Sequence, residues 1–268
     1  AEAGVLPRAS GHVVGQWHFA SLDWVTQMFN APPWLQLAGA GDLHADLRIE
    51  GGRPVPGSHV ELPEVAAVAT VMGSRISGRG RVRAELDSTA DGSLETRLAV
   101  SLAQYSIAAP DAADSPYARG DNLQLDVTVR GMPARGEVLG ATSAHLVFSD
   151  AHVPDLRVYN RFLTEQMRID GGSGTASADL RLDGAGSIGQ GVVHVQGHDA
   201  QMSMGGRQLR GDLAIDVPLR RADLQQRQFD LDGSQVRLSD VSFRDRDGQA
   251  RQGWWAKVDL PAARLDLA

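Results

Sequence analysis

The chain contains no cysteine, one lysine (Lys257) and only 5% aromatic residues. Without cysteine there is no disulfide framework, no thiolate zinc site and no thiol nucleophile. There is also no cluster of positive charge. The 33 acidic residues outnumber the 26 basic ones, the net charge is −7, and no Lys/Arg run occurs. A nucleic-acid surface needs a clustered positive field to displace counterions, so nucleic acid is not an expected partner. No apolar run approaches the roughly 20 residues of a membrane-spanning helix, and no signal-peptide core is present.

What is abundant is glycine, 30 residues against 12 prolines. Without a collagen period, this points to many tight turns and bulges between short strands. Period-2 alternation dominates the rest. Leu43, Ala45, Leu47 and Ile49 alternate with His44, Asp46, Arg48 and Glu50. Leu94, Leu98, Val100 and Leu102 behave the same way, as do Leu123, Leu125, Val127 and Val129. The pattern returns at Leu180–Leu182, Val193–Val195, Leu213–Leu219 and Val258–Leu260. Helical phase would scatter these apolar side chains around the circumference, so each run is predicted as a strand. One apolar and one wet face favours antiparallel sheet. The predicted class is all-β, an elongated curved antiparallel sheet of degenerate repeats forming a groove.

Glu50-Gly51-Gly52, Asp91-Gly92, Asp183-Gly184 and Asp247-Gly248 separate the runs with residues that tolerate positive φ. Two segments carry helical spacing instead. Ser21–Asn30 places Leu22, Val25 and Phe29 on one stripe, and Asp155–Gln166 does so with Leu156, Tyr159 and Leu163. Both are predicted as short helices.

An internal repeat connects them. Ala45-Asp-Leu-Arg-Ile-Glu-Gly51 matches Ala178-Asp-Leu-Arg-Leu-Asp-Gly184, an offset of 178 − 45 = 133. Asp23 and Asp155 head the two helical segments, and Met72-Gly73 matches Met204-Gly205, both at offset 132. The expected organisation is a single repeat-built domain over 1–268, with repeat one at about 11–142, repeat two at about 143–232 and a partial copy at 233–268. A chain of this kind is expected to be a piece of a longer protein.

The search for chemistry is unrewarding. Gly184-Ala-Gly186-Ser-Ile-Gly189 spells a dinucleotide fingerprint, but strand-like sequence follows where a helix must present its N-terminus to the pyrophosphate. His194 and His198 lie four apart on a predicted strand, which does not converge two ligands as a helix would. Asp240, Asp245 and Asp247-Gly248 miss the calcium-loop spacing. No G-x-S-x-G nucleophile elbow occurs. No catalytic residue, metal site or cofactor is expected.

The residues Phe19-Ala-Ser-Leu-Asp23 with Leu37-Ala-Gly39-Ala-Gly41-Asp-Leu43-His-Ala45-Asp-Leu47 form a pattern. A second copy runs from Ala151-His-Val-Pro-Asp155 through Tyr159-Asn160 to Ile169-Asp-Gly171-Gly-Ser-Gly174 and Ala178-Asp-Leu180. In this the chain resembles the AsmA-like superfamily, including TamB-type proteins. The resemblance implies a periplasmic β-groove in a Gram-negative bacterium, the full-length protein being anchored in the inner membrane. It implies a part in outer-membrane biogenesis, phospholipid or another acyl-chain lipid being held or conducted between membranes. The usual N-terminal anchor sequence is absent here.

The side chains then expected to line a lipid groove are Leu47, Ile49, Leu98, Val100, Leu125, Val127, Leu180, Leu182, Val193, Val195, Leu213 and Ile215. On that reading Leu125→Asp abolishes lipid carriage and Gln124→Asp is tolerated. Two alternatives stay open. One is a structural or assembly β-sandwich or solenoid without ligand, whose open edges recruit membrane proteins or a lipoprotein by strand addition. The other is a carbohydrate-active β-helix enzyme using Trp17, Trp24, Trp34, Trp254 and Trp255 as a sugar platform.

Overall fold

A computed structural model describes residues 9–22, 35–38, 40–71, 74–130, 142–163, 167–183, 188–205, 207–223, 228–244 and 249–266. The first half comprises β1 (Gly11–Phe19), β2 (Leu35–Ala38), β3 (Gly41–Glu50), β4 (Arg53–Pro54), β5 (Ser58–Val71), β6 (Ser74–Ser88), β7 (Leu94–Ala108), β8 (Ala118–Gly120) and β9 (Leu123–Arg130). After β10 (Thr142–Val153) comes a 3₁₀ helix, Leu156–Phe162. The long strands β11 (Met167–Asp183), β12 (Ile188–Met204) and β13 (Arg207–Leu219) follow. The chain continues through β14 (Arg221–Asp223), β15 (Gln228–Asp230), β16 (Ser234–Arg244), β17 (Ala250–Leu260) and β18 (Arg264–Asp266).

Fifteen of these strands form one antiparallel sheet, ordered β1-β3-β5-β6-β7-β8-β10-β11-β12-β13-β16-β17, with β9 bridging β7 and β10. Strands adjacent in sequence are mostly adjacent in space, as short turns dictate. The Asp91-Gly92 turn joins β6 to β7 as expected, with Gly92 at φ 80°. There the Thr89 and Ser93 hydroxyls bind the Asp91 carboxylate and hold its pKa down to about 2. The small sheet β14-β15-β18 stands apart. The alternating runs are strands with one buried face: in β9, Leu123, Leu125, Val127 and Val129 are buried, and Gln124 and Asp126 are exposed.

The registers of β1, β3, β5 and β6 coincide with those of β10, β11, β12 and β13 at one offset. Val60 faces Ala84 and Val193 faces Val217, while Gly11 faces Ile49 and Ala144 faces Leu182. The steps 193 − 60 and 144 − 11 are both 133. Even the wet-face partners repeat. His12 Nε2 lies 2.7 Å from Asp46 Oδ1, and His145 Nε2 lies 2.9 Å from Asp179 Oδ1. Where Arg83 meets Glu61 at 3.5 Å, His194 meets Asp216 at 2.5 Å, with the basic and acidic residue types exchanged between the strands.

Among the described residues there is no α-helix. The helical stripe at Asp155–Gln166 forms instead a 3₁₀ turn of seven residues. Asp155 caps it by accepting from the Arg157 amide at 2.9 Å, and Leu163 is already extended. The Asn160 side chain then binds the Ile169 backbone twice, donating to its carbonyl and accepting from its amide, both at 2.7 Å. These bonds fix the segment to the start of β11 after barely two turns. The Ser21–Asn30 stripe lies outside the described residues from 23 onward. What is seen of it is Ser21 and Leu22, the latter fully buried beside Gly41.

Bulges are expected from the glycine content, and a row of them falls at aspartates inside alternating runs. Asp150, Asp199 and Asp240 have φ of 53°, 51° and 51°, and each sits at a register shift in β10, β12 or β16. Aspartate tolerates this left-handed region better than most residues, and a bulge bends its strand and increases the local twist. The Arg210 guanidinium pins one of them by donating to Asp199 at 3.2 Å. It thereby holds the Asp199 carboxyl below its ordinary range.

Tyr105 is buried beside Phe148, ring centroids 5.6 Å apart. Its hydroxyl has no hydrogen-bond partner among the described residues, and burial pushes its pKa up to about 12. An unpaired buried hydroxyl costs roughly 1–3 kcal/mol. Tyr105→Phe is therefore expected to raise stability by about 1 kcal/mol, measurable as a higher urea midpoint. An unchanged or lower midpoint would show that the hydroxyl is satisfied.

Candidate functional site

The inner face of the second half does not close on itself. Between the 3₁₀ helix and the small sheet lies a cavity of about 350 Å³. Its floor comes from neighbouring strands: Leu180 of β11, Val193 and Val195 of β12, Ile215, Val217 and Leu219 of β13, Val236 of β16 and Leu260 of β17. Tyr159 and Leu163 line it from the 3₁₀ segment, and Phe229, Leu231 and Ala263 from the small sheet and the residues beside it. Among the described lining residues, Ser234, Arg264 and the Tyr159 phenol carry the polar side-chain atoms, and Arg264 is the only charged one. Such a wall gives water few partners. A lining of this kind suits an apolar ligand.

The local sequence explains the shape. At Val193–Val195 of β12 and Leu213–Leu219 of β13 every second residue is aliphatic, so the pleat puts Val193, Val195, Ile215 and Val217 on one face. The 3₁₀ helix approaches closely because two glycines leave room. A Cβ on Gly197 would lie 2.5 Å from Leu156 Cδ1, and one on Gly172 would lie 3.0 Å from it. Leu156 fills that socket completely. Tyr159 is then held by its hydroxyl, which donates to the Tyr117 carbonyl at 3.2 Å, and by its stacking on the Tyr117 ring. Burial raises the pKa of its phenol, so it stays protonated and acts as a donor.

Four of the twelve residues expected to line a groove meet at this cavity: Leu180, Val193, Val195 and Ile215. Leu182 lies just beyond it, packed with Leu219 and Phe229. Val100, Leu125, Val127 and Leu213 are buried in the main core, with Leu98 half-buried against it. Leu47 and Ile49 are half-buried opposite the edge strand β1. Leu125 is 3% exposed and does not line the cavity, so a carboxylate there would test folding and not lipid carriage.

Tyr159 and Leu163 were legible as part of a stripe, and Val217 and Leu219 as part of an alternating run, but nothing local signalled their convergence. The other motifs resolve into ordinary surface. β12 begins at Ile188, so a strand and not a helix follows the glycine-rich fingerprint, whose residues 184–187 lie outside the described residues. His194 and His198 pair with Asp216 and Asp212 across the wet face. Trp254 and Trp255 lie exposed on β17, Trp17 is 40% exposed on β1, and Trp24 and Trp34 lie outside the described residues. Comparison with protein families, curated proteins and solved structures gives no significant match.

Proposed function

We propose that this chain is a lipid-binding module whose second half holds an acyl chain in the cavity between the 3₁₀ helix and the small sheet. The observation that carries this reading is the aliphatic lining itself, in a volume at the low end of the roughly 300–1,000 Å³ usual for small-molecule sites. That size suits one acyl chain, with Arg264 placed to meet an anionic head group. The resemblance to AsmA-like proteins supports the same reading and adds an expected setting, the periplasm, and an expected task, lipid conduction between membranes. No step of this function needs a catalytic group. A second reading, a ligand-free structural module, draws on how thoroughly the first half packs its own inner face, where Leu62, Val82 and Val100 are 3–5% exposed.

Native mass spectrometry followed by organic extraction decides between them. Stoichiometric acyl lipid retained by the purified protein is the expected result, and a clean ligand-free mass would favour the structural reading. Ile215→Trp, which fills the cavity, is expected to abolish retention while the fold persists. Gln196→Trp, on the opposite face of β12, is expected to retain lipid normally. Equal retention by the two variants would place the ligand elsewhere.

A further inference from the structure

The two ends of the main sheet are unlike other exposed edges, because each presents apolar side chains on the core side. Among the described residues β1 pairs only with β3, and β17 only with β16. On β1, Val13 is 41% exposed and Trp17 is 40% exposed, yet they face the core-side residues Leu47 and Leu43 of β3. On β17, Trp254 and Val258 are 57% and 39% exposed, opposite the buried Val241 and Val236 of β16. Soluble proteins usually blunt such edges with charge or a covering element.

The internal register says what fits there. β1 is the counterpart of β10, since Gly11–Ile49 and Ala144–Leu182 are equivalent pairs. β17 is the counterpart of β9. Val82 faces Val100, which faces Leu125; in the second half Ile215 faces Val236, which faces Val258. Leu125 and Val258 are thus equivalent, 258 − 125 = 133 apart, while the intervening Val100 and Val236 are 236 − 100 = 136 apart. In the first half the outer edge of β9 is bound by β10, with Leu125 facing Leu146 and Asp126 facing His145. Among the described residues no strand pairs with the corresponding outer edges of β17 and β1.

We infer that β17 of one molecule adds to β1 of a second copy of this chain, in the antiparallel register that joins β9 to β10. That register places Val258 opposite Val13 and, four residues further along, Trp254 opposite Trp17. Charge agrees as well. Asp259, now 3.0 Å from Lys257, comes to face His12, as Asp126 faces His145. His12 already holds Asp46 on its other side, as His145 holds Asp179. The contact is head-to-tail and non-closing, so it extends the sheet from copy to copy. It is independent of what occupies the cavity.

The cysteine-free sequence makes the register directly testable. Facing residues on antiparallel strands lie roughly 4.5–5.5 Å apart at Cα, inside the range a disulfide bridges. Val13→Cys and Val258→Cys variants, mixed under mild oxidation, are expected to give a disulfide-linked dimer joining positions 13 and 258. Val14→Cys, which points to the other face, is expected to lose that product with Val258→Cys. Sedimentation velocity of the unaltered chain is expected to show association rising with concentration. A mixed product no stronger than that of either variant alone or of the Val14→Cys control would overturn the inference, as would a monomer at every concentration.

Discussion

Gly174→Ala is expected to destabilise the protein by about 3 kcal/mol or more, far beyond the usual effect of adding one methyl group. Gly174 lies in the middle of β11, opposite Gly197 of β12. A Cβ built there would sit 1.9 Å from the Gln196 carbonyl oxygen and 2.9 Å from the Gly197 Cα. Both are backbone atoms of the neighbouring strand, so no rotamer change relieves the overlap and the strands must part. Alanine also restricts the unfolded chain, which alone would stabilise by roughly 0.4–1 kcal/mol. The overlap outweighs that gain. Three residues earlier the balance reverses. A Cβ at Gly171 meets only the end of the flexible Gln201 side chain, at 3.7 Å. Gly171→Ala should therefore be neutral or slightly stabilising. Urea denaturation of the two variants compares them directly, and similar midpoints would show that β11 and β12 pair more loosely than described.

The second large effect is expected at Leu156. Its side chain is wholly buried in the socket left by Gly172 and Gly197, and it joins the 3₁₀ helix to the sheet. Leu156→Ala should cost about 2–5 kcal/mol, the span set by how far the socket collapses. The two Asn160 hydrogen bonds to Ile169 remain, so the turn stays tethered while its packing loosens. Tyr159 and Leu163 line the cavity, and the variant is therefore expected to lose bound acyl chain more readily as well. Denaturation gives the first quantity and lipid retention in native mass spectrometry the second. Full stability in the variant would mean that the 3₁₀ helix is an ornament on the sheet.

The all-β class was legible because alternation is a local signal. Leu123 to Val129 states which face is buried without reference to any other strand. The 133-residue spacing was legible in Ala45–Gly51 and Ala178–Gly184 because both copies keep the same turn residues after the strand. The cavity was not legible. Val193 and Leu125 look alike in sequence, yet one lines the cavity and the other is packed away, a difference set by whether the chain covers them from across the sheet. The 3₁₀ helix defeated the helical reading for a related reason. Its Leu156-Tyr159-Leu163 stripe is correct for one face, but Asn160 spends its side chain on β11 and ends the helix early. The bulges at Asp150, Asp199 and Asp240 left only the faint signal of an aspartate inside an alternating run.

The shared register offset limits how such a sheet can change in length. Inserting one residue into β12 would turn Val193 and Val195 to the solvent side and expose His194 to the interior, because strand side chains alternate at every step. Inserting a whole 133-residue unit would keep the inward and outward faces of the strands that share this register in phase. Lengthening is therefore tolerated in large quanta and penalised in small ones. Duplication and deletion of entire units are the gentle mutations for this architecture, and a single-codon slip within a strand is the severe one.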